Sequence, residues 1–234
     1  SANSQGSSGN SINGSTFKAS NSDSDFGLVE LSSIPPASYA VYYAGWDNSG
    51  NIPQTGVSVH HPSGDVKKIS FDDDPITSAA GLSIANSSWR IEAWERNTTT
   101  EGGSSGCGLW DENYHLVGQL HGGQANCSNS INDYYGKFSM SWTGNGSSSS
   151  VSRLSDWLDP QNLGLVALNG CDLLNGCDPL DSCITLNALN DTVCESYTLN
   201  GQTYTSSGFY TQTLTNVAGC DSTITLNLTV NPNQ

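Results

Sequence analysis

The sequence predicts an all-β fold in which one short helix closes the first two-thirds of the chain. Three observations carry this. Apolar, β-branched and aromatic residues come in short runs separated by Gly, Ser, Asn and Pro. Long helical periodicity is absent. Near the C-terminus, Gly176-Cys177-Asp178 followed by Asp181-Ser182-Cys183-Ile184-Thr185-Leu186-Asn187 is echoed by Gly219-Cys220-Asp221-Ser222-Thr223-Ile224-Thr225-Leu226-Asn227. That echo is an internal repeat of roughly forty residues, complete only in its second copy, and it separates a small repeat module from the main body.

Residues 1–14 are polar and aperiodic and read as a loop or a loose end, and the start at Ser1 reads as a processed or truncated terminus. Phe17 to Leu31 is strand-like, with Asp25 placed just before the apolar run Phe26 to Leu31. Pro35-Pro36 marks a connection. Tyr39 to Trp46 is β-prone. Val57 and Val59 lead to His60-His61-Pro62, where a strand stops, and Ser63-Gly64-Asp65 turns into a strand from Val66 to Phe71. Trp89 to Trp94 alternates apolar and polar residues. Leu109-Trp110 and His115 to Leu120 form a hairpin across Asp111-Glu112-Asn113. Tyr134 to Trp142 reads as another strand. Val151, Leu154 and Leu158 recur at helical spacing, with Ser150 as N-cap and Pro160 as the stop. The expected organisation is a body over residues 1–165, a Cys-containing linker or degenerate repeat over 166–190, and a small β-sandwich module over 191–234. Asn200-Gly201 is a hairpin signal within that module.

The chain carries 22 acidic and 7 basic residues, for a net charge of -15. It has no basic surface to neutralise phosphates, so nucleic acid is not an expected partner. No apolar run is long enough to cross a bilayer. Seven cysteines without a metal-type CxxC pair imply disulfides and an oxidising compartment, with one thiol left over. A Cys194–Cys220 bridge is expected to staple the module. The pairing of Cys171, Cys177 and Cys183 cannot be read. No cofactor or metal site is expected: His60 and His61 lack ligands at suitable spacing, and Asp72-Asp73-Asp74 reads as a solvated turn.

The stretch with chemical character is Glu101-Gly102-Gly103-Ser104-Ser105-Gly106-Cys107-Gly108-Leu109. It puts a serine on a glycine-flanked bend before an apolar strand. Nucleophilic catalysis by serine needs such a bend, with backbone N–H groups converging where an oxyanion can sit. Taken alone, the same stretch also reads as a linker. The glycines of His121-Gly122-Gly123 would leave a bare backbone edge able to pair with an extended peptide.

In the order Ser15-Thr16-Phe17-Lys18-Ala19, Ser24 to Leu31, Ala44-Gly45-Trp46-Asp47, His60-His61-Pro62, Thr100 to Gly106, Val117 to Gly123, Asp133 to Gly136 and Arg153 to Pro160, the chain resembles bacterial lysyl endopeptidase, a trypsin-like serine protease. The resemblance spans about Ser15 to Pro160. It implies a chymotrypsin-like double β-barrel whose first barrel is incomplete here. By position, Asp25 is similar to the triad aspartate and Ser105 to the nucleophile, and the N–H groups of Gly103 and Ser105 correspond to the oxyanion hole. Leu120, His121 and Gly122 match the strand that pairs with substrate, His121 being the histidine beside the primary pocket. Asp133 matches the acid at the pocket floor. A carboxylate in a narrow slot favours a compact ammonium over a guanidinium fork, which implies protein or peptide substrates cleaved after lysine.

Three departures stand out. No histidine precedes Asp25, so the triad base is missing from this chain. Cys107-Gly108 replaces the family's usual pair. The tryptophan that covers the family's catalytic histidine has no match, Trp89 being nearest but wrongly spaced. Cys127 matches a family cysteine whose partner lies in the missing N-terminal part; a Cys107–Cys127 bridge is the other option. Val193 to Val230 resembles repeat modules of secreted and cell-surface bacterial proteins. Together these imply a monomeric, secreted or surface-exposed serine endopeptidase, N-terminally truncated and inactive as given. The alternative is a catalytically inactive, protease-like binding or adhesion protein.

Overall fold

The computed structural model describes residues 9–80, 84–172, 186–215 and 221–231. The chain divides into two compact units, Ser1–Gly176 and Cys177–Gln234. The first opens with a two-stranded antiparallel hairpin, β1 (Ser15–Asn21) and β2 (Phe26–Leu31), bulged between Phe17 and Ala19. Two short strands follow, β3 (Tyr42–Tyr43) and β4 (Gly45–Asp47). The main sheet is then built from β5 (Gly56–His60), β6 (Lys68–Asp72), β7 (Thr77–Ala79), β8 (Ser88–Ala93), β9 (Gly108–Trp110), β10 (His115–Gly123) and β11 (Ile131–Lys137), in the order β6-β5-β9-β10-β11-β8-β7.

Every neighbouring pair along that path is antiparallel. Just past β8, Glu95 bridges back to Phe71 in β6, which draws the two ends of the six-strand run together. The result is an all-β barrel of the chymotrypsin-like kind. Joining the ends in this way removes exposed sheet edges, which otherwise invite further strand pairing.

Alternation along the strands fills the barrel. Ile76, Trp89, Ile91, Trp94, Leu109, Val117, Leu120 and Tyr135 form its buried core. A second apolar cluster joins Ala19, Phe26, Trp46, Phe138 and Leu154 under the β1–β2 hairpin. Here the structure corrects one expectation. The strand read from Tyr134 to Trp142 ends at Lys137, and α1 (Phe138–Thr143) begins. Phe138 and Trp142, four residues apart, both meet the Trp46 ring, at centroid distances of 5.8 and 4.6 Å. A helix sets such a pair side by side on one face, whereas a strand would hold them about 13 Å apart, too far for both to meet one ring. Gly144, in the left-handed region, ends the helix. The helical spacing from Ser150 resolves into a 3-10 turn at Ser150–Ser152 and α2 (Ser155–Leu158).

Part of the stretch read as a linker pairs back onto the first unit: β12 (Ala167–Leu168) joins β4 and β13 (Cys171–Asp172) joins β3. The second unit holds β14 (Leu186–Val193), β15 (Tyr197–Leu199), β16 (Gln202–Tyr204), β17 (Gly208–Thr215) and β18 (Asp221–Val230). The β15–β16 hairpin turns at Asn200-Gly201, both at positive φ, as a type I′ turn requires. Tyr204, Leu226 and Leu228 are its buried core.

Cys194 is a free thiol. β14 runs parallel to β18, with Val193 beside Val230. Cys220, the partner expected for Cys194, lies outside the described residues, as do Cys177 and Cys183. Cys107 and Cys127 are also free thiols, which excludes the bridge between them, while Cys171 is disulfide-bonded.

Candidate active site

The Ser105 bend is made of two tight turns, in which Ser104 N–H donates to Glu101 O (3.0 Å) and Cys107 N–H to Ser104 O (3.1 Å). Gly103 sits at φ +96, where a side chain would be strained and its Cβ would press on Ser63 N at 3.2 Å. Ser105 stands exposed at the tip. Ser104 points inward: its buried hydroxyl meets His60 Nδ1 at 2.9 Å, and His60 Nε2 meets Ser70 Oγ at 2.9 Å. Burial lowers the His60 pKa, so this imidazole is neutral and acts as a peg for the loop.

The loop is stitched to β10 by Gly106 N–H to Leu120 O and Leu120 N–H to Cys107 O, both 2.8 Å. The N–H groups of Ser104, Gly106 and Cys107 are thus used inside the fold. Those of Gly103 and Ser105 donate to no group among the described residues, and both lie on the same bend. Both backbone groups of Leu120 are engaged by the loop, and the bulge at His121 follows directly after it.

The β10–β11 register slips between Leu120 and Gly122, leaving His121 as the extra residue. A bulge re-aims its side chain, and His121 Nδ1 meets Asp25 Oδ2 at 2.7 Å. Asp25 itself sits at φ 54, a left-handed conformation that aspartate tolerates better than most residues. Its turn rests on the barrel: Gln119 Nε2 donates to Ser24 O at 2.6 Å, and a Cβ at Gly136 would overlap that same carbonyl oxygen. Asp25, Gly106, Trp46, Trp110 and Gln119 line one cleft. The sequence-selected residues Asp25, Ser105 and His121 are therefore brought to one end of β10.

Asp133 is buried in β11, directly across from Gly123. Its Oδ2 accepts Trp94 Nε1–H at 2.6 Å and the Thr100 hydroxyl. Glycine at 123 is what lets the strands approach there, since a Cβ would overlap Asn132 O and Asp133 Oδ1. Trp94 and Thr100 were not singled out from the sequence as site residues, because their role depends on a carboxylate more than thirty residues away. Trp89, the nearest candidate for a covering tryptophan, is a core residue whose indole donates to Val117 O at 2.9 Å. Cys107 fills the barrel wall, with Sγ 3.1 Å from Ser58 Oγ and 3.8 Å from Tyr135 OH. Burial pushes its pKa up and keeps the thiol protonated.

None of the four imidazoles hydrogen-bonds to Ser105. His60 is held by Ser104 and Ser70, His61 by Asp65 O, His115 by Asn169 and His121 by Asp25.

Residues 1–136 match the family model described as lysyl endopeptidase, C-terminal domain. The chain is 36% identical over 123 residues to a lysyl endopeptidase from Pseudomonas aeruginosa, a match covering 48% of this chain and 25% of that protein. The chain thus spans about a quarter of the length of that curated relative. Among solved structures, it is similar to Rv3671c from M. tuberculosis H37Rv, crystallised as a serine-to-alanine mutant in an inactive form. Identity there is 14%, coverage 53% of this chain and 58% of that one, and the TM-score 0.33.

Proposed function

The chain belongs to the lysyl endopeptidase C-terminal domain family, and on that premise we propose that it is part of a secreted serine endopeptidase that hydrolyses peptide bonds after lysine. The observation that carries this reading is the pair of uncommitted N–H groups at Gly103 and Ser105, on an exposed serine bend stitched to the strand whose His121 meets Asp25 of the β1–β2 turn. Ser105 Oγ attacks the carbonyl carbon as an imidazole takes its proton. The two N–H groups hold the oxyanion of the tetrahedral intermediate. Its collapse expels the amine, which receives that proton, and water then hydrolyses the acyl-enzyme. Peptide pairs with β10 from His121 to Gly123, and the lysine ammonium is drawn to Asp133.

The proton-accepting imidazole, in this reading, comes from polypeptide outside these 234 residues, with Asp25 orienting it. General-base assistance is worth about 10²–10⁴ in rate, so this chain alone is expected to cleave little. The 2.7 Å His121–Asp25 bond favours a second reading, in which His121 is itself the base.

Two measurements on the purified chain separate these. Binding of a lysine-terminated peptide, lost in Asp133→Asn, with no labelling of Ser105 by a fluorophosphonate, supports the first reading. Fluorophosphonate labelling lost in both Ser105→Ala and His121→Gln supports the second. Absence of both labelling and lysine-dependent binding overturns the peptidase assignment and leaves a protease-like binding or adhesion protein.

A further inference from the structure

Away from the serine bend, Asp47 at the end of β4, Asp111 after β9 and His115 at the start of β10 converge. One ligand atom from each lies within 4.8 Å of the others. His115 is the informative member. Its Nε2 meets Asn169 Oδ1 at 2.9 Å, and an amide oxygen only accepts, so the proton sits on Nε2. Its Nδ1 is buried and has no hydrogen-bond partner. That nitrogen faces Asp111 Oδ2 at 3.9 Å, too far for a hydrogen bond. A lone pair aimed at a carboxylate across such a gap is unfavourable unless a second ring proton or a cation lies between them, and a bound cation would also use the nitrogen that no hydrogen bond satisfies.

The gap suits an ion. Two ligands each about 2.1 Å from a shared Zn²⁺ lie roughly 3–4 Å apart. All three side chains are already held in place by hydrogen bonds. Asp111 Oδ1 accepts the N–H groups of Asn113 and His115, at 2.9 and 2.8 Å. Asp47 Oδ1 accepts Ser49 N–H. Donation from the distal ring nitrogen of His115 to an amide oxygen is the outer contact that metal-bound histidines make. We propose that Asp47, Asp111 and His115 form a divalent-cation site, of a kind that takes Zn²⁺ through one imidazole nitrogen and two carboxylates with solvent completing the shell. Calcium, which prefers an all-oxygen shell, is the poorer match. The ion would tie β4 to the β9–β10 turn and, through Asn169, to the segment that follows β12.

The sequence gives no sign of this site, because the ligands are separated by 64 residues between Asp47 and Asp111 and meet only when β4 lies parallel to β10. The test is calorimetric titration of the chelator-stripped full chain with ZnCl2, in a Cys127→Ser/Cys194→Ser background so that exposed thiols cannot compete. The expected result is one Zn²⁺ per chain, with affinity weakened roughly tenfold or more in His115→Gln and again in Asp47→Asn. Asp47 is only half-buried, so its variant keeps the test valid if His115→Gln fails to fold. No binding, as a plain imidazolium–carboxylate pair would give, or binding that both variants retain, overturns the proposal.

Discussion

Asp72 shows how one residue of register decides a side chain's chemistry. Read as the first of three solvated acids, it is instead the last residue of β6 and shares the inward face of Ser70. Extending that strand by one residue carries the carboxylate inside, while Asp73 and Asp74 stay exposed. Burial pushes its pKa up to about 6, reinforced by the nearby charge of Glu95. The native state therefore prefers the neutral acid. The stabilisation this gives is complete below about pH 4 and is lost as pH rises through 6. Asp72→Asn keeps an oxygen for the Asp74 N–H and removes the charge. It is expected to stabilise the chain by about 1–3 kcal/mol at pH 8 and to change nothing at pH 4, read from urea midpoints. Equal midpoints at pH 8 would mean that the carboxylate is solvated after all. Local composition could not show this, because Asp-Asp-Asp looks polar whichever way the first of them points.

At the scale of elements, alternation and turn chemistry made β5, β8, the β9–β10 hairpin and the Asn200-Gly201 hairpin legible. Pairings between distant segments were not, since nothing local distinguishes them. The parallel contact of β4 with β10, the return of β12 and β13 to the first unit, and the parallel β14–β18 pair are of this kind. The candidate site divides along the same line. Asp25, Ser105 and Asp133 were found through spaced motifs, but the His121 bulge and the Trp94 and Thr100 contacts needed the register of β10 on β11 and the fold around it. The seating of the Asp25 turn on Gly136 makes a prediction about elements. Gly136→Ala forces a Cβ against Ser24 O and Gln119 Nε2, so the turn must lift or the strand must shift. A loss of about 1–3 kcal/mol in chemical denaturation is expected. Gly27→Ala is the control: it lies in β2 with nothing within 4 Å of the added methyl, and should be neutral or slightly stabilising. Equal behaviour of the two variants would show that the turn is not seated on the barrel.

Over the whole molecule, the dominant physical fact is charge. Of the seven basic residues, Lys18, Lys68, Arg90, Arg96 and Arg153 already stand in ion pairs with carboxylates. Lys137, buried, lies over the Trp89 ring at 4.0 Å. The remaining acids outnumber any cation left to neutralise them, and their mutual repulsion opposes the compact state. Screening acts on both sets of interactions. Exposed ion pairs contribute only about 0–1 kcal/mol each, and much of that survives at close range. Repulsion among unpaired acids acts over longer distances and is removed first, because the Debye length falls from about 30 Å at 0.01 M salt to about 8 Å at 0.15 M. Sodium chloride is therefore expected to raise the melting temperature at pH 7. The rise should be steep at low concentration and flatten near physiological ionic strength. Relief on the order of 1 kcal/mol corresponds to roughly 2–4 °C for a chain of this size. The shape of the curve separates screening from general salting-out, which grows steadily with concentration instead of saturating. A melting temperature that falls over the same range would mean that the ion pairs outweigh the excess of acids, and that the acidic surface is not a cost to the fold.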